Sequence, residues 1–395
     1  DALLEGAEVT RGSSIHPNKL FTDRPRQTWR NYALRGLIAY APAGSLGATM
    51  RAQLTNMSVS GQGRSGRTGF KTSLDLWPLA HFQELRSLTL RDASEIHNLD
   101  RLGALPKLTA LSISLWQGSL GTIIEDLVAL KGLTYLQLGC QAFHVRDAAP
   151  GRETLDLALL PPGLKTLKLG SCRNLQFLDG IEHLTGLAHL ELAGCTALRS
   201  LAPLGRLSSL ESVNVSDSGV EGLEGLEPHT GLTTLHMNRT AVTDLAPIAG
   251  CSALETLELT KCVGLTHVDA LAGLTRIETL SLEGCAGLKN VDGLATHVGR
   301  QTLNLRKCGA LEDISGLSGM AELGALDLAE CTALTSIAPL AGLNKLVWLN
   351  LHGCPVTDVD ALAGKPALRS LGLQQCGSLQ SVAGLNDLPS LRESL

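Results

Sequence analysis

Eight of the ten cysteines recur at one phase of the chain: Cys172, Cys195, Cys262, Cys285, Cys308, Cys331, Cys354 and Cys376. From Cys262 onward they follow one another at a nearly constant step, the mark of a repeat array. Thiols in such a column can hold a metal, pair as disulfides, run redox chemistry, or stay buried as small hydrogen-bonding residues. A zinc site wants paired ligands, typically C-x-x-C with histidines close by. No C-x-x-C occurs, and the 11 histidines are scattered. A disulfide framework belongs to short secreted chains with irregular cysteine spacing. The column therefore reads as reduced, inward-facing thiols, each a weak S–H donor to a backbone carbonyl. Ser218 and Thr240 hold the same phase where cysteine is missing, which fits that role. Cys140 is displaced by one position and Cys251 lies across a turn. Reduced thiols lead to the expectation of an intracellular protein, cytoplasmic or, for a secreted effector, in a host cytosol.

A glycine-rich stretch raises a second chemistry. Gly61-Gln-Gly63-Arg-Ser-Gly66 satisfies G-x-G-x-x-G and follows a candidate strand at Met57–Val59. A phosphate-binding loop needs a lysine where Arg67 stands, and a helix and βαβ unit that Gly69–Pro78 does not provide. The stretch reads as a basic loop. Arg64, Arg67 and Lys71 are weak candidates for nucleic-acid or anion contact, since stacking aromatics are not interleaved with them. No H-E-x-x-H, G-x-S-x-G or kinase signature occurs, so no catalytic set, cofactor or metal is expected.

The elements that position these residues follow from a repeat, which decides the fold before anything else. Strand cores fall at 88–90, 111–113, 136–138, 167–169, 190–192, 213–215, 235–237, 257–259, 280–282, 303–305, 326–328, 349–351 and 371–373. Most intervals are about 23 residues, a period that signals a stacked-repeat architecture. A longer one, from Leu136 to Leu167, holds an insertion near Phe143–Asp156. The unit reads L-x-x-L-x-L-x-x-C-x-x-L-x-x-h-x-x-L-x-x-L, h being aliphatic. It resembles the short leucine-rich repeats of bacterial internalins and of the regulatory subunit of protein phosphatase-1, with cysteine at the usual asparagine position. The resemblance covers residues 76–395. It implies a repeat solenoid, the leucine-rich-repeat horseshoe, with a parallel β-sheet on the concave face. The return segments are too short for full helices and should be extended or 3₁₀ turns.

Two domains follow. Residues 1–75 form an irregular basic region, read as a cap with one or two degenerate repeats. Val59 precedes Leu90 by one long interval, as an expanded repeat requires. Residues 76–395 form a leucine-rich-repeat domain of about 13 repeats. Residues 1–73 carry ten Lys/Arg against four Asp/Glu, leaving 23 against 34 in the remainder. His297 and Arg300 stand where most repeats have leucine or isoleucine, so Val298 should rotate inward or the turn be rebuilt. The open core at Leu391–Leu395 points to further sequence or a partner beyond it.

The candidate partner surface is the concave face. Trp348, Asn350, His352 and Gln374 set an aromatic among hydrogen-bonding groups, the composition of an interface anchor. His189, Glu191, His236 and Glu258 make a polar stripe with Asn304 and Arg306 further along. The function expected is protein–protein recognition by a sensor, adaptor or targeting domain of a larger, bacterial protein. The alternatives are an enzyme or nucleotide switch with its chemistry in the N-terminal region or outside this segment, and an extracellular adhesive repeat protein.

Overall fold

The structure is a computed structural model that describes residues 54–60, 73–93, 95–115, 121–139 and 155–394 of the 395. The glycine-rich loop with Arg64, Arg67 and Lys71 lies outside these residues, as do Cys140 and the insertion up to Thr154. The chain falls into two compact units, Asp1–Thr196 and Ala197–Leu395.

The first unit contains β1 (Asn56–Ser60), β2 (Ser73–Asp75), β3 (Ser87–Ala93), β4 (Glu95–His97), β5 (Ala110–Leu115), β6 (Tyr135–Gly139), β7 (Thr166–Lys168) and β8 (His189–Glu191). β1, β3, β5, β6, β7 and β8 pair in that order, all parallel. Val59 stands opposite Leu90 in the β1–β3 register. β2 and β4 form a separate parallel pair that the leucine pattern does not foretell. One return segment departs from the expected extended or 3₁₀ form: Gly121–Leu127 is a short α-helix, α1. It sits between β5 and β6, where the interval is slightly longer than usual and the added residues give room for the wider turn.

The second unit contains β9 (Ser212–Asn214), β10 (Thr234–His236), β11 (Thr256–Glu258), β12 (Thr279–Ser281), β13 (Thr302–Asn304), β14 (Ala325–Asp327), β15 (Trp348–Asn350), β16 (Ser370–Gly372) and β17 (Glu393–Ser394). β9 to β12 pair in parallel in one ladder, and β13 to β17 in another. Each regular strand is short and starts one position before the leucine core, as at Thr256–Glu258. Strand alternation sends Leu257 and Leu259 inward, where both are fully buried. Truncating either to alanine should cost about 2–5 kcal/mol, because a stacked repeat cannot collapse around the cavity.

The return follows the same logic. In a 3₁₀ helix every third side chain shares one face. The spacing of Val268, Leu271 and Leu274 therefore matches the turn at Asp269–Gly273, and all three are buried. Leu271 N–H donates to Val268 O and Leu274 N–H to Leu271 O, both at 2.9 Å. No helix among the described residues is long and apolar enough to cross a membrane.

Between strand and return each repeat from β7 to β16 makes a left-handed step. Ser171, Gly194, Asp217, Arg239, Lys261, Gly284, Lys307, Glu330, Gly353 and Gln375 all have φ between 56° and 77°. In each case the next residue is the cysteine, serine or threonine of the column. The left-handed residue turns the chain off the sheet and points that side chain inward. It also extends the ladder: Lys261 N–H donates to Glu283 O at 2.7 Å and Lys307 N–H to Ala329 O at 2.8 Å.

Candidate functional site: the open sheet face and the column beneath it

The column beneath the strand ends has one geometry from repeat to repeat. The thiol of each cysteine donates to a leucine or methionine carbonyl of the preceding repeat. Cys195 reaches Leu169 O at 3.2 Å, Cys262 Met237 O at 3.1 Å, and Cys285 Leu259 O at 3.1 Å. Cys308, Cys331, Cys354 and Cys376 reach Leu282, Leu305, Leu328 and Leu351 at 3.0–3.3 Å. Thr240 takes the role within its own repeat, giving its hydroxyl to Met237 O at 2.8 Å. Burial pushes the thiols of Cys195 and Cys308 up to about 12, so neither is a thiolate at neutral pH. Cys172 differs. It is disulfide-bonded, to a partner outside the described residues, so the all-thiol reading fails at the first member of the column. Cys376 is the one half-exposed member among the free cysteines.

A second buried column runs along the return turns. Leu274, Met320 and Leu343 hold it with apolar side chains, whereas His229, Cys251, His297 and Lys365 place polar groups there. The first three donate to a carbonyl of the preceding repeat: His229 Nε2 to Leu204 O at 3.1 Å, His297 Nε2 to Leu271 O at 3.0 Å, and Cys251 Sγ to Leu226 O at 3.7 Å. Burial raises the Cys251 thiol to about 11. His297 fills the leucine site itself, and Val298 stays 53% exposed, so the expected inward rotation of Val298 does not occur.

On the open face of the first unit, His189 is exposed, with Thr166 opposite it in register. Glu191 Oε1 accepts the Ala193 N–H at 2.9 Å. Lys168 lies 6.0 Å from the Tyr135 ring centroid, a weak cation–π contact.

On the second unit the polar stripe is a closed network. His236 Nδ1 lies 2.9 Å from Glu258 Oε2, and Asn238 Nδ2 donates to the same oxygen at 2.7 Å. Asn238 Oδ1 accepts the Thr260 N–H at 2.8 Å, and Thr260 Oγ1 meets Ser281 Oγ at 2.6 Å. Burial alone would raise the Glu258 carboxyl, but the bonds from His236 and Asn238 outweigh it and hold the group below its ordinary value. In register the order is His236, Glu258, Ser281, which places the carboxylate between histidine and hydroxyl. A nucleophilic triad needs the histidine in the middle.

Asn304 and Arg306 sit in a neighbouring cluster. Asn304 Oδ1 accepts the Arg306 N–H at 3.0 Å, and its amide donates to Glu283 Oε2 at 3.1 Å. Arg306 Nη2 pairs with Glu330 Oε1 at 2.7 Å, with Lys307 3.9 Å from the other oxygen. The Arg306 bond holds the Glu330 carboxyl low. Glu330 and Lys307 escape sequence reading because only the left-handed step brings their side chains to this face. The place immediately before each cysteine was the available signal.

The Trp348 group is built differently. Trp348 is half-buried, and its row neighbours are small, Ala325 on one side and Ser370 on the other. Val347 beside it is 39% exposed. The Ser370 hydroxyl is buried with no hydrogen-bond partner. Asn350 Oδ1 accepts the His352 N–H at 3.1 Å and lies over Gly372, where an added Cβ would meet it at 2.5 Å. Trp348, Asn350, His352 and Gln374 thus occupy the adjoining repeats of β15 and β16, with Gln374 exposed. Among the described residues no group of three or more His, Cys, Asp or Glu is placed to hold a metal ion.

Comparison of the whole chain places this architecture among known ones. An internalin from Listeria monocytogenes has 21% sequence identity and a TM-score of 0.61, over 86% of this chain and 93% of that one. A leucine-rich-repeat protein of Leptospira interrogans has 15% identity and a TM-score of 0.53, over 85% and 93%. The plant peptide hormone receptor RGFR1, in complex with RGF2, has 15% identity and a TM-score of 0.51, over 98% and 67%. No protein-family model and no curated protein matches the sequence. The class is settled by repeat, ladder and turn together: this is a leucine-rich-repeat fold.

Proposed function

We propose that the chain is a protein-recognition module that takes its partner on the open sheet face of the second unit, anchored at Trp348. The observation that carries this reading is the setting of the ring. It is half-exposed between small neighbours, beside an exposed valine and a hydroxyl without a partner. Large aromatics in such settings dominate binding energy at protein interfaces. Asn350, His352 and Gln374 supply hydrogen-bonding groups around it. The fold relatives support the reading, one of them being a receptor solved in complex with a peptide hormone. A prebuilt ladder loses little ordering entropy on association.

The test is parallel capture from a lysate of the source cells on immobilised wild type and Trp348→Ala. The expected result is a protein retained at least about tenfold better by wild type, with both melting curves the same. Identical retained proteins at equal yield would remove Trp348 as the anchor.

We also infer an intracellular setting. The free, hydrogen-bonded thiols from Cys195 to Cys376 support it, and the disulfide at Cys172 argues the other way. Thiol titration without reductant tests the setting: few or no free thiols would overturn it, whereas eight beside the one disulfide would uphold it.

A further inference from the structure

The second unit has a seam. β9 to β12 form one ladder and β13 to β17 another, while β12 and β13 are not paired as strands. At the neighbouring strand entries two successive backbone N–H groups converge on one carbonyl of the preceding repeat. Glu278 and Thr279 donate to Glu255 O at 2.9 and 3.0 Å, and Gly324 and Ala325 to Gln301 O at 2.8 and 3.1 Å. At the seam the corresponding donors are Gln301 and Thr302, and the acceptor is Glu278 O. Neither bond forms among the described residues.

Arg300 takes their place. Its Nη2 donates to Ile277 O at 2.8 Å and its Nη1 reaches Glu278 O at 3.5 Å, while Nε is buried without a partner. The physical cause is one substitution in the repeat. Position 277 is isoleucine and position 300 is arginine at the same phase, and a guanidinium at that site both occupies space and competes for the carbonyls. The strands splay at their entry: Thr279, Gln301 and Thr302 are all exposed, and the core residues Ile277 and Leu280 are less completely buried than Leu254 and Leu257.

The opposite edge of the same seam closes past the strand exit: Leu282 N–H does not reach Asn304 O, as its sister Leu259 N–H reaches Ser281 O, but the next contacts form. Gly284 N–H donates to Arg306 O at 2.7 Å, and Cys308 Sγ to Leu282 O at 3.3 Å. Asn290 bridges Asp313. A Cβ on Gly316 would collide with Val291 O, so the return turns approach as closely as backbone allows. An interface fastened along one edge and unladdered along the other has the form of a hinge.

We propose that the β12–β13 seam is a hinge in the second unit and that Arg300 is its latch. Release of the guanidinium from Ile277 O and Glu278 O opens the strand-entry edge about the pivot at Gly284–Arg306 and Gly316–Val291. The two ladders then move as separate bodies, and the open face can change curvature at one defined place.

Hydrogen exchange of the full chain, resolved to short peptides, tests this. In wild type the Gln301 and Thr302 amides should exchange at least about tenfold faster than Gly324 and Ala325, their counterparts one repeat on. Arg300→Ala should speed exchange further over 277–282 and 300–305 and leave 324–328 unchanged. Arg300→Ile, which restores the aliphatic residue of position 277, should slow exchange at 301–302. Equal exchange at the two pairs in wild type overturns the hinge, whatever the variants do. Fast exchange that neither variant alters overturns the latch.

Discussion

Lys365 is the strongest test of the energetics. It is 1% exposed, in a column held by Leu274, Met320 and Leu343 in sister repeats. Its ammonium donates to Ala341 O at 3.1 Å and Leu343 O at 3.2 Å. No carboxylate pairs with it among the described residues, and burial holds the amine below its ordinary value. A cation desolvated against two carbonyls is poorly compensated, and apolar replacements of similar volume at such sites are neutral to stabilising by about 1–4 kcal/mol. Lys365→Met keeps the volume and removes the charge. The bonds lost cost little, because Leu343 O also accepts the Leu346 N–H at 3.3 Å and Ala341 is exposed to water.

The net expectation is a gain of about 1–3 kcal/mol at pH 7. For a unit the size of Ala197–Leu395, each kcal/mol moves Tm by about 2–4 °C. The sign with pH is fixed. A base whose folded pKa is depressed destabilises the fold fully below that value. The penalty fades as pH rises through the window between the folded pKa and the unfolded one, about 10.4. Melts of wild type and Lys365→Met at pH 7 and near pH 10 should therefore show a gap that narrows. A variant that melts at or below wild type at pH 7, or a gap independent of pH, refutes the account.

Three further outcomes follow from the columns and the stripe. Titration of the denatured chain without reductant should find eight thiols, and only Cys376 should react quickly in the native protein; ten thiols would reject the disulfide at Cys172. Lys261→Gly should stabilise by about 0.5 kcal/mol in chemical denaturation, because φ is 63° there and glycine carries no left-handed penalty; a loss of stability would show that the lysine stem packs. Glu258 has a lowered pKa, so its contribution is present above the unfolded value and is lost as pH falls from there through the folded one. Glu258→Gln should flatten that part of the stability profile, and an unchanged acid limb would mean that the bonds from His236 and Asn238 contribute nothing.

What could be read from the sequence was what repeats. Leucine spacing dictates strand, turn and inward face, because many copies of one weak signal become a strong one; the register of Val59 with Leu90 follows from it even across a long interval. The phase of the cysteine column was legible for the same reason, but not the disulfide at its first member, Cys172. Single departures were legible only as departures. His297 and Arg300 break the leucine phase in the sequence, yet one settles into the core on a carbonyl and the other crosses to the neighbouring repeat. Lys365 breaks it in the same manner and could have been found by the same comparison. The open face was hardest, because its side chains answer to neighbours one repeat away. Glu258 reads as a free contact in the sequence, yet His236 and Asn238 occupy it. Glu330 and Lys307 reach the face only through a left-handed φ that no residue type announces. A surface whose polar groups bind one another has less left to offer a partner than its composition implies. Trp348 stands out by the opposite argument: its neighbours are too small to cover it, so what remains exposed there is available to be covered by something else.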